Sequence, residues 1–317
     1  MTTKTLIISS IAAALALVGC VPAVAVNRTE RTSTKAGVQQ ITIAYRAHNG
    51  ATSHAVVLLP TWYGPQQNPS IPLVISPHGR GLWGKTNAKL WGTLPTLGGF
   101  AVINPDGAGD HLSGRFAWGA KGEIDDLARM PQILHEALPW LHIDTDRLYA
   151  VGGSMGGQET LLLLGEHPHL LAGAVAVDSL VDFARQYVNF ATFKCDKICR
   201  SHWGGSIGRT LQRFVRREVG GTPASAPEQF AERTALTYAK VIADSDVPLQ
   251  IWWSHADKVI VHPELHSGKL VTMIRQINPG APLTVHTGHW VHTHVLRYDR
   301  QLPTMLIRLG LLDATDL

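Results

Sequence analysis

The chain has 317 residues, 45% of them hydrophobic and 16% charged, the make-up of an ordinary globular protein with a large core in one large or two modest domains; a disordered or fibrous chain is excluded. The formal charge of +4 is spread without a long basic run. Neither nucleic-acid binding nor a polybasic membrane anchor is expected from it.

The N-terminus reads as an export signal. Lys4 is followed by apolar residues 6–18, and Leu17-Val18-Gly19-Cys20 is similar to a lipobox, in which the cysteine is lipidated and begins the mature chain. Plain secretion, with cleavage after Ala25 in Ala23-Val24-Ala25, is the competing reading, and an uncleaved anchor is a third. The segment 1–25 is therefore read as an export signal, and the expected location is extracytoplasmic, with the membrane reached only through a lipid on Cys20. Residues 26–40 are polar and read as a tether, so the folded domain is expected over 41–317.

The first expected strands are 41–45, which alternates, and 54–59, an apolar run; together they suit a hairpin at a sheet edge. A short apolar strand over 73–76 ends at Pro77-His78-Gly79, and another over 100–104 ends at Pro105-Asp106-Gly107. Residues 124–141 place Leu127, Met130, Ile133, Leu134 and Leu138 at helical spacing, with Pro131 kinking or starting a helix. A strand over 148–151, a helix over 158–164 and strands over 172–177, 249–253 and 283–286 follow. Strands alternating with helices at these spacings imply an α/β fold with a doubly wound, mostly parallel sheet. Residues 180–246 are too many for a simple crossover and read as a helical cap insertion. That insertion holds Cys195 and Cys199, whose four-residue separation on a helix places their Cα atoms about 6 Å apart, within disulfide range in an oxidising compartment.

The most informative segment is Leu148-Tyr149-Ala150-Val151-Gly152-Gly153-Ser154-Met155-Gly156-Gly157. Gly152 and Gly156 flank Ser154 in a G-x-S-x-G pattern between a strand and a helix, the turn that lifts a serine hydroxyl clear of a sheet. A hydroxyl is a poor nucleophile at neutral pH, so Ser154 needs a histidine to take its proton and a carboxylate to orient that histidine. Asp257 stands just past the strand 249–253, on the sheet edge expected to carry Ser154; Asp244 and Asp246 precede that strand. The segment from His286 to His294 offers four histidines. His286 lies within the last strand, whereas His289 and His292 fall on the following loop, so His292 is the expected base and His289 the alternative. The amides of Met155 and of Arg80, in the glycine-lined turn after Pro77, are the expected donors to an oxyanion, with His78 bracing that loop. Trp62, Tyr63, Trp83 and Trp118 are candidates to frame an apolar acyl group. The histidine-rich loop lacks a matching acidic or cysteine set, so no metal and no cofactor is expected.

On these residues the chain resembles the α/β-hydrolase superfamily over about 41–312. The order nucleophile, acid, histidine is that superfamily's. The Gly152-to-Gly157 run and the His78-Gly79 turn are similar to the catalytic domain of the prolyl oligopeptidase family and to secreted esterases of the feruloyl-esterase and polyester-depolymerase kind. His292-Thr293 is similar to the His-Ser pair around the histidine of several esterases. The resemblance implies acyl transfer, with small-molecule esters as the first substrate class and short peptides as the second. Prolyl oligopeptidases usually carry a β-propeller that the residues before Ile41 are too few to form, and Gln158 replaces an aromatic residue found in many members; both weigh against peptide specificity. A lipoprotein that uses the fold only to bind a ligand is the reading from a different class, and it would be expected to have lost one of Ser154, Asp257 and His292.

Overall fold

The structure is a computed structural model that describes residues 33–35, 37–193 and 207–316. Cys20 and the export segment lie outside the described residues, as do Cys195 and Cys199 with their expected disulfide. Among the described residues nine strands form one sheet: β1 (Ser33–Lys35), β2 (Val38–Arg46), β3 (Thr52–Leu59), β4 (Ile71–Ile75), β5 (Ala101–Pro105), β6 (Ile143–Gly153), β7 (Gly173–Val177), β8 (Leu249–Ser254) and β9 (Leu283–Gly288). Their order is β1-β2-β3-β5-β4-β6-β7-β8-β9. The pairings among β1, β2, β3 and β5 are antiparallel, and every pairing from β5 through β4, β6, β7 and β8 to β9 is parallel. This is the mostly parallel sheet expected from the alternation of strands and helices.

The tether over 26–40 needs correction, because the sheet begins inside it. Residues 33–35 pair with 38–40, and Val38 is buried. Ladder hydrogen bonds are made by the backbone, so a polar stretch at a sheet edge can join a strand that its composition does not announce.

Side chains along each strand alternate between two cores, as a period of two requires. On one face, Leu73, Ile75, Ala101, Ile103, Leu148, Ala150, Ala174, Ala176, Leu249 and Ile251 pack with the helices Lys121–Ala128, Met130–Ala137, Met155–Glu166 and Ser267–Ile277. On the other face Val74, Val102, Tyr149, Val151, Val175 and Val177 pack with Trp91, Phe100 and residues of the helix Leu302–Arg308. The apolar series read over 124–141 forms two helices. Arg129 separates them, and Pro131 sits in the first turn of the second, where its missing N–H leaves no bond unmade.

Between β7 and β8 the chain forms the helices Phe183–Thr192, Ile207–Val219, Pro227–Glu232 and Ala239–Asp244. Phe183, Tyr187, Phe190, Leu211, Val215 and Phe230 make a third core, which also takes in Trp118, Met155 and Ile260. The insertion therefore rests over the carboxyl edge of the sheet. Polar bonds fasten it there. The Glu218 carboxylate accepts the amides of Asp110, His111 and Leu112 at 2.6, 3.2 and 2.7 Å, and Arg233 donates to Asp110 at 2.8 Å.

Candidate active site

Because β4 to β9 are parallel, their carboxyl ends share one edge of the sheet, and the loops leaving it converge. Ser154 leaves β6 at φ 61 and ψ −123 and opens the helix Met155–Glu166. Such a backbone costs about 1–3 kcal/mol for a residue with a side chain, and it holds here because both flanking elements are fixed. The Ser154 amide donates to Val177 O at 2.9 Å, and Gln158 N donates to Ser154 O at 3.0 Å. Position 156 admits no side chain, since a Cβ there would lie 2.3 Å from Pro77 O. The strand-turn-helix read from the G-x-S-x-G pattern is the local structure observed.

Asp257 follows β8, and its side chain is fully buried. One carboxylate oxygen accepts the amides of Val259 and Ile260 at 2.7 and 3.1 Å; the other accepts Nδ1–H of His292 at 2.7 Å. That bond leaves Nε2 of His292 as the ring's acceptor, the tautomer a proton-accepting histidine needs. Burial works against a charged His292, yet the Asp257 carboxylate and, behind it, Asp178 outweigh burial and the Arg80 guanidinium, so its pKa lies above the ordinary histidine value. His289 is exposed, and its ring faces that of His255 at 5.5 Å. Among the described residues, no hydrogen bond joins Ser154 Oγ to His292. Ser154 is half-buried, and a Cβ on Gly153 beside it would touch Thr293 Cγ2 at 3.2 Å, which places the His292 loop against the elbow.

The loop after β4 closes a turn in which Leu82 N donates to Gly79 O at 3.1 Å, with Gly81 at φ +81. A left-handed third position favours glycine, and it sets the Arg80 peptide. A Cβ on Gly79 would lie 3.7 Å from Ser154 Cβ, so this turn borders Ser154. Arg115 clamps it, donating from Nε and Nη2 to Gly81 O at 3.2 and 2.9 Å while its guanidinium lies 5.0 Å from the Trp83 ring centroid. Burial first, and then the Arg115 charge, bring the Arg80 pKa down to about 10. His78 is buried with its ring nitrogens 3.0 Å from Gly79 O and 3.1 Å from Asp106 O, a brace between this loop and β5; burial lowers its pKa. Met155 supplies the first amide of its helix, a position with no intrahelical acceptor and the positive end of the helix dipole.

Three of the four aromatic expectations are corrected. Tyr63 is buried at the opposite end of the sheet, where its hydroxyl accepts the His142 amide at 2.9 Å beside the start of β4, and the Trp62 ring lies 5.8 Å from its ring, tilted by 54°. Trp118 is 1% exposed and serves the core of the cap. Only Trp83, 38% exposed on the loop after β4, stays at the rim. Sequence reasoning missed Asp178, which ends β7 in the left-handed region at φ 43 and is buried. A carboxylate directly after an apolar strand at the carboxyl edge was the available signal.

Two groups of acidic and histidine side chains have metal-ligand spacing among the described residues: Asp178, Asp257 and His292, and Asp125, Glu166 and His167. The first is tied up in the bonds just given. In the second, the Lys121 ammonium stands 3.2 Å from Asp125 and 3.0 Å from Glu166, where a cation would bind.

Residues 94–205 match the model of the prolyl oligopeptidase family. Known structures are similar across most of the chain. An S-formylglutathione hydrolase from Staphylococcus aureus superposes with a TM-score of 0.59 at 17% identity, over 86% of this chain and 98% of its own. An acetyl xylan esterase from Paenibacillus sp. R4 gives 0.59 at 12% identity, over 91% and 89%. This chain has the α/β-hydrolase fold. A candidate dipeptidyl aminopeptidase IV from Bacteroides ovatus gives a TM-score of 0.62 at 17% identity, and this chain covers 35% of that protein's length against 86% of its own. No curated protein matches this chain in sequence.

Proposed function

We propose that the protein cleaves carboxylic esters of small molecules through an acyl-enzyme on Ser154. The observation that carries this reading is the 2.7 Å bond between buried Asp257 and His292, on the sheet edge where Ser154 stands in its strained elbow. His292 Nε2 takes the proton as Ser154 Oγ attacks the acyl carbon, and Asp257 holds the ring and stabilises the imidazolium that forms. The amides of Met155 and Arg80 receive the developing oxyanion, a contribution of about 3–4 kcal/mol per donor in comparable sites. His292 then gives the proton to the departing alkoxide, and water repeats the sequence to release the acid.

Esters are favoured over peptides because the neighbours of matching length are an S-formylglutathione hydrolase and an acetyl xylan esterase. Short-peptide hydrolysis is the second reading, favoured by the family match over 94–205. The Leu17-Val18-Gly19-Cys20 run supports an exported, lipid-anchored enzyme. The test compares p-nitrophenyl acetate and butyrate with peptide p-nitroanilides, on wild type and Ser154→Ala. Turnover of the esters that Ser154→Ala abolishes is expected. Faster anilide than ester turnover would assign a peptidase, and ligand binding without turnover would assign a binding protein.

A further inference from the structure

We propose that Asp178 is a positioning residue that locks the His292 loop against the elbow and adds a second negative charge behind His292. The inference rests on the serine-hydrolase reading of this site. Asp178 Oδ2 accepts Trp290 Nε1–H at 2.8 Å and the Thr293 amide at 2.7 Å, so one oxygen holds the chain on both sides of His292. Its Oδ1 accepts the Ser254 amide at 2.9 Å, three residues before Asp257. A single buried carboxylate thus ties together the ends of β7, β8 and β9. Ser254 completes the knot, because its hydroxyl bonds both the amide and the carbonyl of Trp290.

Two residues of this knot adopt left-handed backbone, Asp178 at φ 43 and Thr293 at φ 57. Neither is glycine, so the surroundings must hold them there, and the Asp178–Thr293 bond joins one to the other. Thr293 also packs toward Gly153, the residue before Ser154. The carboxylate therefore sets how close His292 comes to the nucleophile. A displacement of about 1 Å at such a site costs on the order of a hundredfold in rate.

The charge acts as well. Atoms of Asp178, Asp257 and His292 lie within 4.8 Å of one another. The groups facing His292 are Asp257 and Asp178 from the ends of β8 and β7 and Arg80 from the turn after β4; those facing Asp178 are His292 and Asp257. Burial, and the Asp257 charge, bring the Asp178 pKa up to about 6 against the lowering pull of His292, so the Asp178 carboxyl and the His292 ring influence each other's charge. Two carboxylates against one imidazolium favour the charged ring that forms as Ser154 attacks.

The test uses the full chain with Asp178→Asn and Trp290→Phe. The readouts are kcat and KM on p-nitrophenyl acetate and the titration of the His292 ring followed by NMR. Asp178→Asn is expected to lower kcat about tenfold to a hundredfold with little change in KM, and to move the His292 midpoint down by about one pH unit. Trp290→Phe removes one anchor and no charge, so kcat falls while the midpoint stays. An Asp178→Asn protein that melts lower but keeps the wild-type His292 midpoint overturns the electrostatic part. Unchanged kcat in both variants overturns the positioning part, and Trp290→Phe decides that alone if Asp178→Asn does not fold. The NMR titration needs no turnover, so an inactive wild-type protein would defeat the esterase reading without obscuring the coupling between Asp178 and His292.

Discussion

Gly156→Ala adds one methyl group to the helix that follows Ser154, and the contacts set its consequence. A Cβ at this position would stand 2.3 Å from Pro77 O, 2.8 Å from Pro77 C and 3.1 Å from His78 C. An ordinary carbon–oxygen contact is more than about 3 Å, so the helix or the turn after β4 must retreat by about 1 Å. Alanine gains about 1 kcal/mol over glycine in a helix interior, but overpacking of this kind costs about 1–3 kcal/mol. A melting temperature lower by a few degrees is expected. The activity loss should be far larger than the stability loss, because the elements forced apart carry Ser154, the Met155 amide and the Arg80 amide. About 1 Å of misplacement costs on the order of a hundredfold in kcat/KM. Gly64→Ala is the control: its methyl group would meet nothing within 4 Å, its backbone is not left-handed, and it should change neither quantity. Ester hydrolysis and thermal melting of the two variants decide the matter. A Gly156→Ala enzyme within about threefold of wild type, with the same melting temperature, would refute the argument that close helix-to-loop contact sets the oxyanion geometry.

Asp257→Asn should lower kcat by about 10⁴-fold with the fold retained, since the amide favours the wrong ring tautomer; His289→Gln, at an exposed ring outside the Asp257 bond, should stay within about twofold of wild type, and initial-rate kinetics on both test the choice of base. His292 must be neutral to accept a proton, and its pKa lies above the ordinary histidine value, so kcat/KM should fall on acidification with a midpoint above the ordinary one, measured from about pH 5 to 9. Glu123 and Glu159 are buried carboxyls whose pKa values are pushed well up, by burial first and, for Glu123, by its acidic neighbour Glu159. A carboxyl with a raised folded-state pKa favours folding fully below the ordinary carboxylate range and loses that preference as pH climbs toward the raised value. Glu159→Gln should therefore flatten the fall of melting temperature from about pH 4 upward; an unchanged slope in thermal melts would contradict the assignment.

Much of the site was legible because its chemistry demands residue types at places that strand patterns also mark. The elbow announced itself through Gly152, Ser154 and Gly156 between two apolar runs. Asp257 could be placed by its position after the strand 249–253, which puts it at the carboxyl edge once the sheet is parallel. Pro131 marked the division of the helical series because a proline cannot continue a helix. The choice between His289 and His292 was less legible, since it turns on the backbone of a short loop in which Thr293 is left-handed. Asp178 went unseen for a related reason. An acid after a strand reads as a turn residue, and its bonds to Ser254, Trp290 and Thr293 connect segments more than seventy residues apart. Trp62 and Tyr63 were drawn to the wrong end of the sheet, because an aromatic pair beside a glycine looks alike at either edge. Strand β1 escaped notice because a polar sequence carries no alternation to read.

The central claim is that Ser154 is the nucleophile. The measurement that tests it most directly is mass spectrometry of the protein after reaction with a fluorophosphonate, on wild type and Ser154→Ala. One adduct per chain, on the peptide that carries Ser154 and absent from the variant, is predicted. No adduct on folded wild-type protein, or one that persists in Ser154→Ala, would contradict it.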